Sequence, residues 1–224
     1  GADVIELGVP FSDPLADGPV IQRASERALK SGATLRKILN LVPRWREQVH
    51  VPLMLFSYYN PLLQYGLREF ARDAAQAGID GSLVVDLSPE EARPYVEVMR
   101  EQNLDTIFLA SPTSPDERLA RAAELSSGFL YLISLTGVTG ERKALAASVA
   151  PLVERARKVT ALPLAVGFGV SNPALVREVQ AVADAAVVGS AVVHAIQEQY
   201  PCRGADAIER FVRWLKEGTG SKPA

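Results

Sequence analysis

Val4-Ile-Glu6-Leu-Gly-Val9 runs directly into Pro10-Phe-Ser-Asp13-Pro-Leu-Ala-Asp17-Gly18-Pro19. The first six residues are apolar apart from Glu6, and their length and β-branched content predict a strand. The next segment is polar and rich in Pro, Asp and Gly, which predicts a loop. Gly18-Pro19 then predicts a helix start, because Pro fits the first helical position, where no backbone N–H is needed. Strand, polar loop and helix follow one another within twenty residues.

The same beat recurs along the chain. Further strand-like runs are Leu53 to Phe56, Ser82 to Val85, Thr106 to Ala110, Phe129 to Ile133, Leu164 to Val166 and Ala185 to Val188. They are mostly continuous apolar runs, as in strands covered on both faces of a parallel sheet. Amphipathic stretches lie between them. Leu67, Phe70 and Ala74 form a helical stripe that Gly78 should stop. Leu35, Ile38, Leu39 and Val42 form another, which Pro43 should kink or end. Ser88-Pro89-Glu90-Glu91 and Ser114-Pro115-Asp116-Glu117 each read as a helix start. Ile208, Phe211, Val212 and Leu215 mark a last helix, with Trp45 and Trp214 as helix packing residues.

Seven strand–helix beats without a linker predict one α/β domain over residues 1–224. An open doubly wound sheet and a closed barrel both carry this beat. Polar and Gly-rich clusters after several strands favour a TIM (β/α)8 barrel, whose βα loops share one face. Such a barrel takes roughly 250 residues. Seven strands in 224 residues, with an opening Gly1-Ala2-Asp3 that lacks Met, predict a barrel without its first βα unit.

Composition narrows the function. With 24 Lys+Arg against 26 Asp+Glu the net charge is -2 and no basic stripe is visible, so nucleic acid is not an expected partner. No apolar run reaches the roughly 18 residues of a membrane span. No targeting segment is visible, and a cytoplasmic location is expected. The single Cys202 cannot form an intrachain disulfide, and no Cys or His spacing suggests a metal site. His50 and His194 lie outside the clusters at strand ends.

Strand side chains alternate in direction, so Val4, Glu6 and Gly8 point one way and Ile5, Leu7 and Val9 the other. The Ile-Leu-Val set suits packing against helices, which turns Glu6 toward the barrel interior. A buried carboxyl without a partner has a raised pKa, as an acid/base catalyst near neutral pH requires. A structural ion pair is the other reading of Glu6. Spacing alone leaves Asp13 and Asp17 open between turn or cap residues and functional carboxylates. Gly167-Phe168-Gly169 and Gly189-Ser190 end two strands just before helices, where backbone N–H groups can hold a phosphate. Plain turns are the alternative. Thr136 to Lys143, polar and flanked by glycines, reads as a lid or as an ordinary surface loop.

The segment Glu6 to Pro19 resembles the signature of the tryptophan synthase alpha chain family. The resemblance continues, in order, through Tyr59-Asn60-Pro61 with Tyr65-Gly66, Val85-Asp86-Leu87, Thr136 to Gly140, Gly167 to Ser171 and Val188 to Ala191. Two features depart from it. The family's first strand and helix are absent, with an aromatic side chain of the indole pocket, and Leu135 precedes the loop where relatives often carry a polar residue. The resemblance implies a carbon–carbon lyase that cleaves indole-3-glycerol phosphate to indole and glyceraldehyde 3-phosphate. It implies Glu6 as the acid/base and Asp17 as the carboxylate that holds the indole N–H. Thr139 would orient the catalytic carboxylate from the lid, and Gly140, Gly169, Gly189 and Ser190 would contact phosphate. Ile21, Leu83, Tyr131 and Phe168 match pocket positions, although Ile21 and Leu83 read as core and Phe168 equally as packing without the match. No metal or cofactor is implied in this chain. The implied partner is the pyridoxal-phosphate-dependent beta chain in an alpha2beta2 assembly, with Asp13, Asn60 and Pro61 near the interface. A stand-alone lyase and a non-catalytic activating subunit are the alternatives.

Overall fold

The structure, a computed structural model, describes residues 1–134, 145–167 and 169–218. The chain divides into two compact units, one of Asp3–Phe108 with Glu124–Gly128, the other of Gly1–Ala2, Leu109–Ala123 and Phe129–Ala224.

The first unit holds β1 (Ile5–Gly8), α1 (Pro19–Lys30), α2 (Leu35–Arg46), β2 (Leu53–Ser57), α3 (Tyr59–Tyr65), α4 (Leu67–Ala77), β3 (Gly81–Val84), α5 (Arg93–Glu101) and β4 (Asp105–Ile107). Its four strands form a parallel sheet in the order β1-β2-β3-β4. The register puts Glu6 beside Met54, and Gly8 in one row with Phe56, Leu83 and Ile107. Because the side-chain period is two, Glu6 and Leu83 share one face of this sheet.

The predicted helix signals hold in this unit with two adjustments. Gly78 ends α4 in a left-handed conformation (φ 96°), as its missing Cβ allows. Helix α2 continues one turn past Pro43. That turn is held by Arg46, which donates to the Gly78 and Val51 carbonyl oxygens, both at 2.7 Å, and pairs with Asp80. Ser88 to Glu91 forms a turn, with Ser88 Oγ donating to Glu91 at 3.1 Å, and α5 begins only at Arg93. A helix begun at Pro89 would have carried Pro94 in its interior, where it lacks an N–H and crowds the preceding turn.

The second unit holds β5 (Leu109–Ala110), α6 (Asp116–Leu125, its last two residues grouped with the first unit), β6 (Leu130–Ile133), α7 (Leu145–Arg157), β7 (Leu164–Gly167), α8 (Pro173–Gln180), β8 (Ala185–Ala186) and α9 (Ser190–Glu217). Its strands are parallel in the order β5-β6-β7-β8. Helix α9 breaks at Gly204, whose φ of 67° is not helical. Ala195 on one arm packs with Phe211 and Leu215 on the other, and Trp214 joins them.

The run Thr106 to Ala110 is thus not one strand. β4 ladders with β3, β5 ladders with β6, and Phe108 lies between them. Local hydrogen bonds explain the interruption. Ser127 Oγ accepts the Thr106 N–H, Ser126 Oγ accepts the Phe108 N–H, both at 3.1 Å, and Thr106 Oγ1 donates to the Leu125 carbonyl.

Each unit contains the same fastening. Asp80 Oδ2 accepts the N–H of Leu53, first residue of β2, and pairs with Arg46. Asp184 Oδ2 accepts the N–H of Leu164, first residue of β7, and pairs with Arg157. In both cases an Arg at the end of a helix, seven residues before the strand, meets an Asp just before the neighbouring strand.

Candidate active site

Glu6 sits mid-strand in β1. Its Oε1 is buried and has no hydrogen-bond partner among the described residues. Burial raises the carboxyl from 4.5 to about 7. No ion pair to Glu6 forms among the described residues, so desolvation alone sets its affinity for a proton. A side chain added at Gly8, next along the same face, would meet nothing within 4 Å, so the space beside Glu6 is open. Such a carboxyl can give and take a proton near neutral pH.

Asp17 lies on the loop after β1 and does not cap α1. The cap position belongs to Gly18, which makes no side-chain cap. Asp17 instead accepts from the Tyr58 hydroxyl through Oδ2 at 3.1 Å. Burial raises its pKa, and the Tyr58 hydrogen bond acts the other way. Tyr58 is buried, and its hydroxyl also accepts the Ala16 N–H at 2.9 Å. Its ring lies 5.1 Å from that of Phe11. Gln22 of α1 donates to the Asp17 carbonyl at 2.8 Å. The loop is therefore bound at its middle and at its end. Sequence reading missed Tyr58, although Tyr59, the residue after it, belongs to a quoted motif.

Leu83 is fully buried on β3, while Ile21 is half-buried on α1, a helix with no fully buried residue. Asp13 is exposed and accepts from Ser12 Oγ. Asn60 and Pro61 lie in the first turn of α3, whose leading N–H, that of Tyr59, donates to Asp86 at 2.7 Å. Leu15, between Asp13 and Asp17, is 92% exposed.

In the second unit Tyr131 on β6 is buried against Gly167 on β7. The pairing of Val166 with Ala186 puts Gly169 and Gly189 each three residues past one rung of adjacent parallel strands. Gly169 is left-handed (φ 78°). Helix α8 is capped by Asn172, which accepts from the Leu175 N–H at 3.1 Å. Helix α9 starts at Ser190 behind Gly189 with no side-chain cap; the Val192 and Val193 N–H groups donate to the Gly189 carbonyl, and those of Ser190 and Ala191 lead the helix, where an anion is favoured. A Cβ at Gly189 would meet nothing within 4 Å. Thr139, Gly140 and Phe168 lie outside the described residues. His194 is exposed on α9 and faces Glu198 at 3.2 Å. No group of three or more His, Cys, Asp or Glu among the described residues is arranged to hold a metal ion.

The sequence profile of the family described as tryptophan synthase alpha chain matches residues 1–219. The chain belongs to the tryptophan synthase alpha chain family. The alpha chain of Solibacter usitatus is 54% identical over 223 residues, which is 99% of this chain and 84% of that one. The alpha chain of Geotalea uraniireducens is 52% identical, over 97% and 82% of the two chains. Among solved structures, the alpha subunit from Legionella pneumophila str. Paris superposes with a TM-score of 0.88 at 37% identity, covering 97% of this chain and 81% of that one. A tryptophan synthase complex from Pyrococcus furiosus contains a chain that matches at 0.85 and 39% identity, covering 97% and 87%. With membership in the alpha chain family comes the fold class that the strand–helix beat predicts, the α/β barrel. The function is that of an alpha subunit of tryptophan synthase, a lyase of tryptophan biosynthesis. No helix among the described residues is long and apolar enough to cross a membrane.

Proposed function

We propose that the chain cleaves indole-3-glycerol phosphate to indole and glyceraldehyde 3-phosphate by a retro-aldol reaction with Glu6 as acid and base. The observation that carries this reading is the Glu6 carboxyl, its Oε1 buried and without a partner among the described residues, raised to about 7 and beside open space. In its acid form Glu6 gives its proton to C3 of the indole. The resulting carboxylate takes the proton of the adjacent side-chain hydroxyl as the carbon–carbon bond breaks. The bond's electron pair returns to the ring, the hydroxyl carbon becomes the aldehyde, and Glu6 ends protonated as it began. Asp17 accepts the indole N–H and stabilises the positive charge that grows on the ring as C3 is protonated.

The family resemblance assigns Leu83, Ile21, Tyr131 and Phe168 to the indole pocket. Gly169, Gly189, Ser190 and Gly140 hold the phosphate through backbone N–H groups and the partial positive charge of the α9 N-terminus. Thr139 orients the catalytic carboxylate. This chain needs no cofactor of its own for that chemistry. Pyridoxal phosphate belongs to a beta chain that takes up the indole in an alpha2beta2 assembly, with Asp13, Asn60 and Pro61 at the contact. The location is cytoplasmic.

The test is an assay of the purified chain with indole-3-glycerol phosphate, with and without a beta chain. Indole and glyceraldehyde 3-phosphate appear in equal amounts, faster with the beta chain. An intact substrate in both arms would remove the proposal.

A further inference from the structure

We propose that Tyr58 is a positioning residue for this cleavage, its hydroxyl aiming the Asp17 carboxyl while tying down the loop that carries it; the inference rests on the reading of Asp17 given above. The hydroxyl has one proton and gives it to Asp17 Oδ2, so it favours the carboxylate over the acid and leaves Oδ1 for a ligand N–H. The same oxygen accepts the Ala16 N–H, the residue immediately before. One atom thus fixes both the backbone and the side chain of the loop end. The ring contact with Phe11 holds the loop's other side. Tyr58 is itself set rigidly: it is buried, it follows β2 directly, and it is the residue before α3, whose first N–H is taken by Asp86. A transition-state donor or acceptor must be aimed before the reaction if it is to lower the barrier. Tyr58 provides that aim from 41 residues away in sequence.

The charged and titratable groups around this hydroxyl are Asp17 and Asp86. Burial, with a smaller rise from Asp17 and Asp86 and against the lowering Ala16 N–H bond, keeps the Tyr58 phenol protonated, pushed up to about 12, so it remains a donor throughout the working range. The hydrogen bond lowers the Asp17 pKa against the raising effect of burial. Removing it must therefore raise that pKa.

The experiment compares wild type, Tyr58→Phe, Asp17→Asn and the double variant in the full chain. Phe keeps the ring and removes only the hydroxyl. Tyr58→Phe should lower kcat about ten- to hundredfold, as loss of a hydrogen bond to a charged group does, with a smaller change in KM. The acid limb of its kcat/KM profile should move to higher pH, and so should the Asp17 carboxyl titration followed by carbon NMR in the substrate-free protein. In the Asp17→Asn background Tyr58→Phe should cost nothing further. An unmoved NMR titration, or an equal fold-loss in both backgrounds, would overturn the proposal. Should Tyr58→Phe not fold, hydrogen exchange of the wild-type chain decides: the Ala16 amide should exchange at least about tenfold more slowly than in an unstructured peptide, and an unprotected amide overturns the clamp. A wild-type chain that leaves the substrate intact while the Asp17 titration still responds to Tyr58→Phe would overturn the functional reading and Tyr58's positioning role in cleavage with it, but not the clamp.

Discussion

The hydroxyl of Tyr131 occupies the place where a side chain at Gly167 would begin. The two residues lie on adjacent parallel strands, with Tyr131 paired to Ala165 and its ring reaching along β7 over the glycine. Gly167 is in extended strand backbone, so the requirement for glycine there is one of space and not of backbone angle.

Gly167→Ala should therefore destabilise the protein by about 1–3 kcal/mol, the range for overpacking in a tight core. Either the Tyr131 ring shifts or the strands separate. Thermal melting of the variant would show a midpoint several degrees lower. An unchanged melt would mean that Tyr131 has room to move.

A second expectation concerns Glu6 and pH. Its folded-state pKa, about 7, lies above the ordinary 4.5 because burial disfavours the charge. Between those values the folded chain binds more protons than the unfolded chain, so stability falls as pH rises through that window. The loss amounts to about 3 kcal/mol once Glu6 is ionised. Glu6→Gln should consequently be more stable than wild type at pH 8 and no more stable near pH 4. Urea melts at the two pH values test this; a difference that does not depend on pH would show that Glu6 is not buried as described.

Asp184 has the opposite sign. The Leu164 N–H lowers its pKa first, and after it the Arg157 hydrogen bond and charge act the same way against a raising effect of burial. Its contribution to stability is present above the ordinary carboxyl range and is lost as pH falls through the lowered folded value. Asp184→Ala leaves the first N–H of β7 without this partner and, because the carboxylate is half-exposed and screened by solvent, should cost about 1 kcal/mol at neutral pH. The deficit should shrink in acid. A deficit as large at pH 2 as at pH 7 would contradict the assignment.

Gly189→Asp tests the phosphate end. The space beside Gly189 is open and its φ of -94° is not left-handed, so the fold should tolerate the substitution. The new carboxylate would stand where the phosphate is proposed to bind. KM for indole-3-glycerol phosphate should rise at least about tenfold by charge repulsion, with little change in the melting midpoint. An unchanged KM would move the phosphate elsewhere.

How much of this was readable beforehand follows the range of the forces involved. The alternation that turns Glu6 away from Ile5 and Leu7 is local, as is the Gly-Pro start of α1, and both were legible. So was a helix close behind Gly169, which the structure shows as α8, capped by Asn172. Tyr58 was not, because its work depends on a loop 41 residues away folding back onto it. The Arg–Asp fastenings were hidden for the same reason: Arg46 and Asp80 are 34 residues apart, and Arg157 and Asp184 are 27 apart. The helix start read at Ser88 failed because a local cap pattern was weighed without Pro94 downstream. The run Thr106 to Ala110 read as one strand because periodicity carries no trace of Ser126 and Ser127, whose hydroxyls take two of its amides.

The account depends most on the Glu6 carboxyl as the group that moves the protons. Turnover of indole-3-glycerol phosphate by Glu6→Gln, measured beside wild type with circular dichroism on both, tests it most directly. The account predicts a fold like that of wild type and turnover reduced by at least about three orders of magnitude, since the amide can neither give nor take the proton. Turnover within tenfold of wild type in a folded variant would contradict it.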